Sequence, residues 1–401
     1  MARTPVDPSA WRLGALFAAY FGLAGVLAPY MPLVFQARGL GAFEIGLLVA
    51  LGQGMRVIGP NLWGYLADHA ARRTPILRGT AIALTLSFGL LFLPGGFAFV
   101  FGVMLLVNLF QTAQMPIAEA LASASMRGSD DAARRYGRLR LWGSAGFVVV
   151  VMGCGPLFDR FGIDTALWVG VVLCVLLIAV AWRVEEAPPP EGPHERVSVS
   201  GRLREPRVRW FLLSAALMVF AHGALYTYLS IYLAQLGYSK TAIGLFWVLS
   251  VVFEIAFFYT QGRWFARFGR YPLLTASFVV AGLRFALIAG FAGVWWILAF
   301  AQLLHAMTFA VHHSASVLTI QRWFPGRAAA RGQAVYISAA YGIGGTAGSL
   351  TAATLWTSAG PAWAFGSGSV AAMLGALAVR EARRHDATDG VPIASVGGGR
   401  L

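Results

Sequence analysis

Charge is what this chain has least of. Only 12% of its 401 residues are charged, about half the share found in soluble globular domains. That shortage excludes an ordinary water-soluble fold. Acids are scarcer than bases, with 17 Asp and Glu against 31 Lys and Arg. Cysteine is nearly absent. Cys154 and Cys174 both fall in apolar runs, which speaks against a disulfide framework and for buried, inert thiols. No phosphate-binding glycine loop and no nucleophile–base pairing stands out, so no enzymatic chemistry and no cofactor is implied.

Apolar length is what the chain has instead. It is 58% hydrophobic, with a mean hydropathy of +0.67. A spanning helix needs roughly 20 mostly apolar residues, and the chain supplies about twelve such runs. They start near Trp11, Ala42, Pro75, Phe97, Tyr136, Ile163, Val208, Ala242, Tyr271, Val294, Gly332 and Pro361. The first run continues to Gln36 without a small-residue cleavage pattern, so it is expected to be a retained helix. The expected fold is all-α and membrane-embedded, with twelve transmembrane helices.

A net charge of +14 suggests nucleic acid until its distribution is read. With alternate loops assigned to alternate sides, 25 of the 31 basic residues share one side. The other side holds Arg38, Arg160 and Lys240. This is the positive-inside pattern. It predicts a multi-pass protein of a bacterial-type cytoplasmic membrane, with both termini in the cytoplasm and no nucleic-acid partner.

The apolar pattern stops between Val184 and Val208, in a stretch holding Pro188, Pro189, Pro190, Glu185, Glu186, Glu191 and Glu195. The expected organisation is a bundle over 1–183, a cytoplasmic linker over 184–207, a second bundle over 208–385 and a tail over 386–401. The halves repeat at an offset of 198: Gly39 with Gly237, Gly46 with Gly244, Gly64 with Gly262 and Arg72 with Arg270. Parallel six-helix repeats of this kind place a binding site between the halves near midplane. The same offset sets Arg56 against Glu254.

Five charges fall in or beside the apolar runs: Glu119, Glu254, Arg56, Arg284 and Arg140. Charge at membrane depth is costly and usually faces a functional cavity. Polar stripes accompany them. Asn108, Gln111, Met115 and Glu119 share a helical face, as do Gln302, His305, Phe309 and His312, and His222, Tyr226 and Ser230. Interhelical hydrogen bonding would explain such stripes equally well for the Asn, Gln and Tyr positions. His305 and His312 lie about 10 Å apart along one helix, too far to chelate one ion, so no metal is expected. Tyr20, Tyr30, Tyr226, Tyr228, Trp247 and Phe309 are candidates to stack on a ring.

The run Gly64-Tyr65-Leu66-Ala67-Asp68-His69-Ala70-Ala71-Arg72-Arg73 resembles the signature of the major facilitator superfamily. It departs from that signature at His69 and Ala71, where the family usually has Arg and Gly. The resemblance implies two pseudo-symmetric six-helix bundles, with Gly64, Asp68, Arg72 and Arg73 as a gating motif that closes the cytoplasmic side. The run Tyr136-Gly137-Arg138-Leu139-Arg140-Leu141-Trp142-Gly143-Ser144 looks like helix 5 of the phenylpropionate permease branch. Gly237-Tyr238-Ser239, Gly244, Trp247 and Glu254 look like its helix 8, and His305, Thr308-Phe309 and His312 like its helix 10.

More distantly, Glu119 and Arg140 resemble the sugar-binding pair of the lactose permease. Glu254, Arg284 and His305 resemble its coupling residues. The resemblance stops at Thr308, where that relative has a proton-bearing Glu.

Together these readings predict a monomeric, proton-coupled symporter of a small organic molecule. The membrane-depth charges leave one positive charge in excess, which suits an aromatic or similar carboxylate. Expected substrate ligands are Glu119, Arg140, Arg56, Arg284, His222, Tyr226, Trp247, Gln111 and His312. Expected coupling residues are Glu254, Arg284 and His305. A sugar or nucleoside symporter is the alternative. Proton-driven efflux is a third reading, raised by Gly155-Pro156 on helix 5.

Overall fold

The computed structural model describes residues 8–70, 72–125, 132–186 and 199–386. Within them it leaves out the side chains of residues 8–10, Asp68, residues 132–138, Arg140 and Arg327. Half of the predicted linker, 187–198, and all but the first residue of the predicted tail therefore lie outside the described residues.

Twelve long helical rods are present among the described residues. They are α1 (Trp11–Ala37), α2 (Ala42–His69), α3 (Thr74–Phe92), α4 (Phe97–Ser125), α5 (Ala132–Phe161) and α6 (Thr165–Arg183). After the middle connection come α7 (Pro206–Gln235), α8 (Lys240–Phe268), α9 (Arg270–Phe291), α10 (Trp295–Trp323), α11 (329–359) and α12 (Pro361–Arg384). Eleven contain a stretch long and apolar enough to cross a bilayer. The exception is α11, rich in Gly, Ala, Ser and Thr, which the sequence placed from Gly332. Its small residues are used in packing. A β-carbon at Gly342 would meet Val57 Cγ2 of α2 at 2.2 Å, and one at Gly344 would meet the Ala216 carbonyl of α7 at 2.2 Å.

The rods form two bundles with the same internal plan. In the first, α1 packs on α5 and α6, α4 on α2 and α3, and α3 on α6. In the second, α7 packs on α11 and α12, α10 on α8 and α9, and α9 on α12. Each of these contacts has its partner six helices later in the other bundle. The bundles meet along two seams, α2 on α11 and α5 on α8, which exchange under the same relation. The turns repeat too. Gly39 and Gly237 take φ +83° and +86° before the second helix of each bundle, a left-handed geometry that favours glycine.

The seams are tight at the end that carries the α1–α2 and α7–α8 turns. There a β-carbon at Gly46 would meet Ala353 Cβ at 2.3 Å, and one at Gly155 would meet Thr241 Cα at 2.7 Å. Toward the opposite end the helices part. Gly64 and Gly262 have no neighbouring atom within 4 Å of a β-carbon position. A cleft of ≈ 380 Å³ lined by Asn61, Val199, Arg331 and Ser338 lies on that side. Gly64 is therefore not at a close helix contact in this conformation. Glu186 accepts the N–H groups of Arg73 (2.8 Å) and Thr74 (3.1 Å), satisfying donors that a helix start leaves open. The sequence had placed Glu186 in a flexible linker.

Candidate functional site

Three irregularities in the second bundle converge on one place. The rod α7 breaks at His222, whose N–H is shared between the carbonyls of Met218 (3.3 Å) and Val219 (3.1 Å). Two other stretches wind wide as π-helix, Ala306–Val311 in α10 and Ser338–Gly344 in α11. Such segments are rare and gather at functional sites. Around a small cavity of ≈ 10 Å³ they bring together Met218, His222, Tyr226, Thr308, Phe309, His312 and Tyr341.

Arg284 of α9 lies at the side of this cavity and is 0% exposed. Its guanidinium donates to the Ala301 carbonyl (2.9 Å), Thr308 Oγ1 (3.1 Å) and Gln302 Oε1 (3.1 Å). It also lies 3.3 Å from His222 Nε2. The opposite nitrogen of that ring, Nδ1, is 2.8 Å from the Met218 carbonyl. A carbonyl can only accept, so Nδ1 carries the proton and Nε2 accepts from Arg284. Ser250 donates to the same Gln302 oxygen at 2.8 Å. Every partner of Arg284 is a neutral acceptor. No described carboxylate, Glu254 included, comes within 4.0 Å of it.

Glu254 instead faces His305, with Oε2 3.7 Å from Nε2. The His305 ring is 7% exposed and stacks on Phe309 at 5.2 Å and 10°. Phe309 in turn stacks on His313 at 6.1 Å. A second column runs from His222 to Tyr226 (5.8 Å) and on to Trp247 (6.4 Å). Trp247 is fixed there by its Nε1–H bond to Ser230, 3.1 Å. Across the seam, the Arg56 guanidinium of α2 lies 5.3 Å from the Tyr341 ring centre, within cation–π range. Gln302 Nε2, His305 Nδ1 and His312 Nε2 are buried without a protein partner. Buried polar atoms in that state call for a water or a ligand.

Most of the second-bundle residues singled out from sequence thus share one site: His222, Tyr226, Trp247, Arg284, His305 and His312, with Glu254 at its edge and Arg56 reaching it from α2. Glu119 and Gln111 lie half-buried on α4 of the other bundle. Asn108 on that helix packs on α2, its Oδ1 3.0 Å from a β-carbon position at Gly52. The side chains of Arg140 and Asp68 lie outside the described set. Arg72 is exposed. Tyr30 and Tyr228, taken from sequence as candidate ring walls, are wholly buried in the seams. Sequence reading missed Tyr341 and Ser250. A lone tyrosine in the small-residue run Ser338-Ala339-Ala340-Tyr341-Gly342 was the available signal.

Comparison with known proteins agrees with this architecture. Residues 10–367 match the model of the MFS_1 like family. The chain is 30% identical over 336 residues to a probable 3-phenylpropionic acid transporter of Escherichia coli (strain K12), covering 81% of this chain and 86% of that one. It is 27% identical over 298 residues to a maltose permease of Geobacillus stearothermophilus, covering 74% and 73%. In fold it is similar to the crystal structure of the nucleoside transporter NupG, with a TM-score of 0.76 over 94% of this chain and 98% of that one, at 16% identity. A cavity at the heart of a membrane-embedded twin bundle, lined by charge and rings and closed toward one end, is the working part of a carrier rather than an enzyme. The chain belongs to the MFS_1 like family, and so to the major facilitator superfamily of membrane transporters.

Proposed function

We propose that the chain is a proton-coupled symporter of a small aromatic carboxylate, working by alternating access as a monomer. Both termini lie in the cytoplasm of a bacterial-type cell, with the parted end of the seams facing inward. The observation that carries this reading is Arg284. A guanidinium that is 0% exposed and has only neutral partners is a charge awaiting an anion, because an isolated buried charge is otherwise costly. A carboxylate can accept from a guanidinium in bidentate fashion. Tyr226, Phe309 and Tyr341 beside it offer ring faces to an aromatic body. The similarity to a probable 3-phenylpropionic acid transporter supports the same class.

Glu254 and His305 are the proposed coupling pair. Their 3.7 Å separation lets one proton be shared between them. The ring of His305 adjoins that of His222, 6.1 Å away, and His222 touches Arg284. A proton on Glu254 removes a negative charge from the neighbourhood of Arg284 and leaves that cation for the substrate. The loaded carrier then reorients with less net charge in the low-dielectric interior. Arg56, Glu119, Gln111 and Arg140 complete the cavity from the first bundle in this reading. Gly64, Asp68, Arg72 and Arg73 act when the inner side closes.

A neutral sugar is the second reading, favoured by the similarity to a maltose permease. Thermal-shift measurements on the purified chain with panels of carboxylates, sugars and nucleosides separate the two, since a ligand of the native state stabilises it. Aromatic carboxylates such as 3-phenylpropionate should raise the melting temperature most. Stabilisation by sugars alone would overturn the carboxylate assignment.

A further inference from the structure

The tight end of the molecule is fastened by two tyrosines at the repeat offset. Tyr30, at the end of α1, donates to the carbonyls of Val151 (3.2 Å) and Lys240 (3.4 Å), the latter at the start of α8. Tyr228, 198 positions later, donates to the carbonyl of Ala42 (2.6 Å) at the start of α2. Lys240 and Ala42 are themselves 198 apart. So are the glycines that receive the two hydroxyls. A β-carbon at Gly244 would sit 2.3 Å from the Tyr30 hydroxyl, and one at Gly46 would sit 2.7 Å from that of Tyr228. Each bundle thus sends one tyrosine from its first helix to the start of the other bundle's second helix. Both rings are 0% exposed.

At Asp159 the two seams differ in charge. Asp159, near the end of α5, accepts from the N–H of Lys240 (2.8 Å), the N–H of Thr241 (2.9 Å) and the Thr241 hydroxyl (2.6 Å). The Lys240 ammonium is 4.0 Å away. One carboxylate of the first bundle therefore caps the first turn of a helix of the second. The residue 198 positions on is Thr357, which donates to the Ala353 carbonyl of its own helix at 2.6 Å. At the other seam the start of α2 takes its acid from within, where Glu44 accepts the N–H of Gly41 (2.8 Å). Among the described residues, the ionic cap on a helix start across a seam joins α5 to α8, and it must break when those helices part.

We propose that Asp159 is the latch of the outer gate: its bonds to Lys240 and Thr241 hold the carrier closed on the extracellular side, and their loss frees α8 to swing from α5. The proposal rests on the transporter reading for which end faces out. The tyrosine pair fastens both seams at this end, and Asp159 sets how easily the α5/α8 seam opens. Asp159 is a positioning residue; it lies at the tight end of the seam, away from the Arg284 site.

The test is a distance measurement on the full chain in vesicles or nanodiscs, with no substrate present. Spin labels at Asp164→Cys and Gln235→Cys, both exposed at this end, report the separation of the bundles by pulsed dipolar spectroscopy. Cys154 and Cys174 are buried and do not compete for label. Asp159→Asn keeps the shape and removes the charge, and Asp159→Ala removes the cap. An N-terminal cap residue is worth enough to predict that Asp159→Ala raises the ratio of the long- to the short-distance population about tenfold. Asp159→Asn should fall between it and the unaltered chain.

Tyr30→Phe serves as the second handle, and should also lengthen the distance. If Tyr30→Phe shifts the populations while both Asp159 variants leave them unchanged, Asp159 is not the latch. If no variant shifts them in a monodisperse, folded preparation, the outer-gate account fails as a whole. The readout needs no substrate, so a wrong substrate class leaves it intact. Reversed orientation would show separately, as failure of a membrane-impermeant reagent to label Gln235→Cys on intact cells.

Discussion

Replacing Arg284 by Met tests whether this arginine belongs to the substrate or to the fold. Met has a similar length and no charge. For a bound carboxylate the change removes one partner of a buried charge pair, which costs about 2–5 kcal/mol, or roughly 30- to 5,000-fold in Kd. For the empty protein the balance is different. Four neutral contacts are lost, to Ala301, Thr308, Gln302 and His222, at about 0.5–1.5 kcal/mol each. Against that, exchange of buried ionic groups for apolar ones of similar volume is often neutral or stabilising by about 1–4 kcal/mol. The two sides nearly cancel. The expected result is a large loss of affinity with a ligand-free melting temperature within about 5 °C of the unaltered chain. Arg284→Lys should lie between, because it keeps the charge and loses the planar fork. Isothermal titration with 3-phenylpropionate and a parallel melting scan give both quantities. Affinity within threefold of the unaltered chain in both variants would remove Arg284 from the site. Collapse of the melting temperature in both would make it a structural residue.

Tyr341→Ala should weaken an aromatic carboxylate about 2- to 12-fold, the worth of one ring pairing, while an aliphatic carboxylate of equal charge loses less. Equal losses for both in competition binding would deny the ring a role in recognition. Asp386→Ala should destabilise the second bundle. Asp386 accepts from Arg207 (3.1 Å), Arg270 (2.5 Å) and the Tyr271 hydroxyl (2.9 Å) in a buried cluster. Stranding a buried charge costs about 3–5 kcal/mol. Thermal unfolding would show it, and Arg270→Met on top should recover part of the loss. An unchanged melting curve for Asp386→Ala would contradict the reasoning.

The rods were legible because about 20 apolar residues can do little else than span. Arg284, Glu254 and the histidines were legible because charge or polarity at depth is costly and therefore informative. What hydropathy could not carry was rotation. The π-helical turns of α10 and α11 change which residues face the cavity, so Phe309 stacks with His305 and His313 while Tyr341 enters from a helix that reads as featureless. Partner choice was equally hidden. Arg284 draws its contacts from α7 and α10, and nothing in the sequence preferred Gln302 and Thr308 to Glu254.

Ring residues carried a further ambiguity, since an aromatic side chain closes a seam as readily as it lines a cavity. The offset of 198 that joins Tyr30 to Tyr228 was nevertheless present in the chain. Glu186 stood beside a proline run and read as linker, yet its carboxylate is fixed at the start of α3.

Coupling between proton and carboxylate is the centre of the account, and transport in reconstituted vesicles measures it most directly. Acid outside and neutral buffer inside should drive the unaltered chain to concentrate labelled 3-phenylpropionate above its outer level. Glu254→Gln imitates the protonated acid permanently, so it should exchange labelled for unlabelled substrate across the membrane yet fail to accumulate it. Accumulation by Glu254→Gln at the rate of the unaltered chain would contradict the coupling role of Glu254. Accumulation by the unaltered chain that ignores the pH gradient would contradict proton coupling itself.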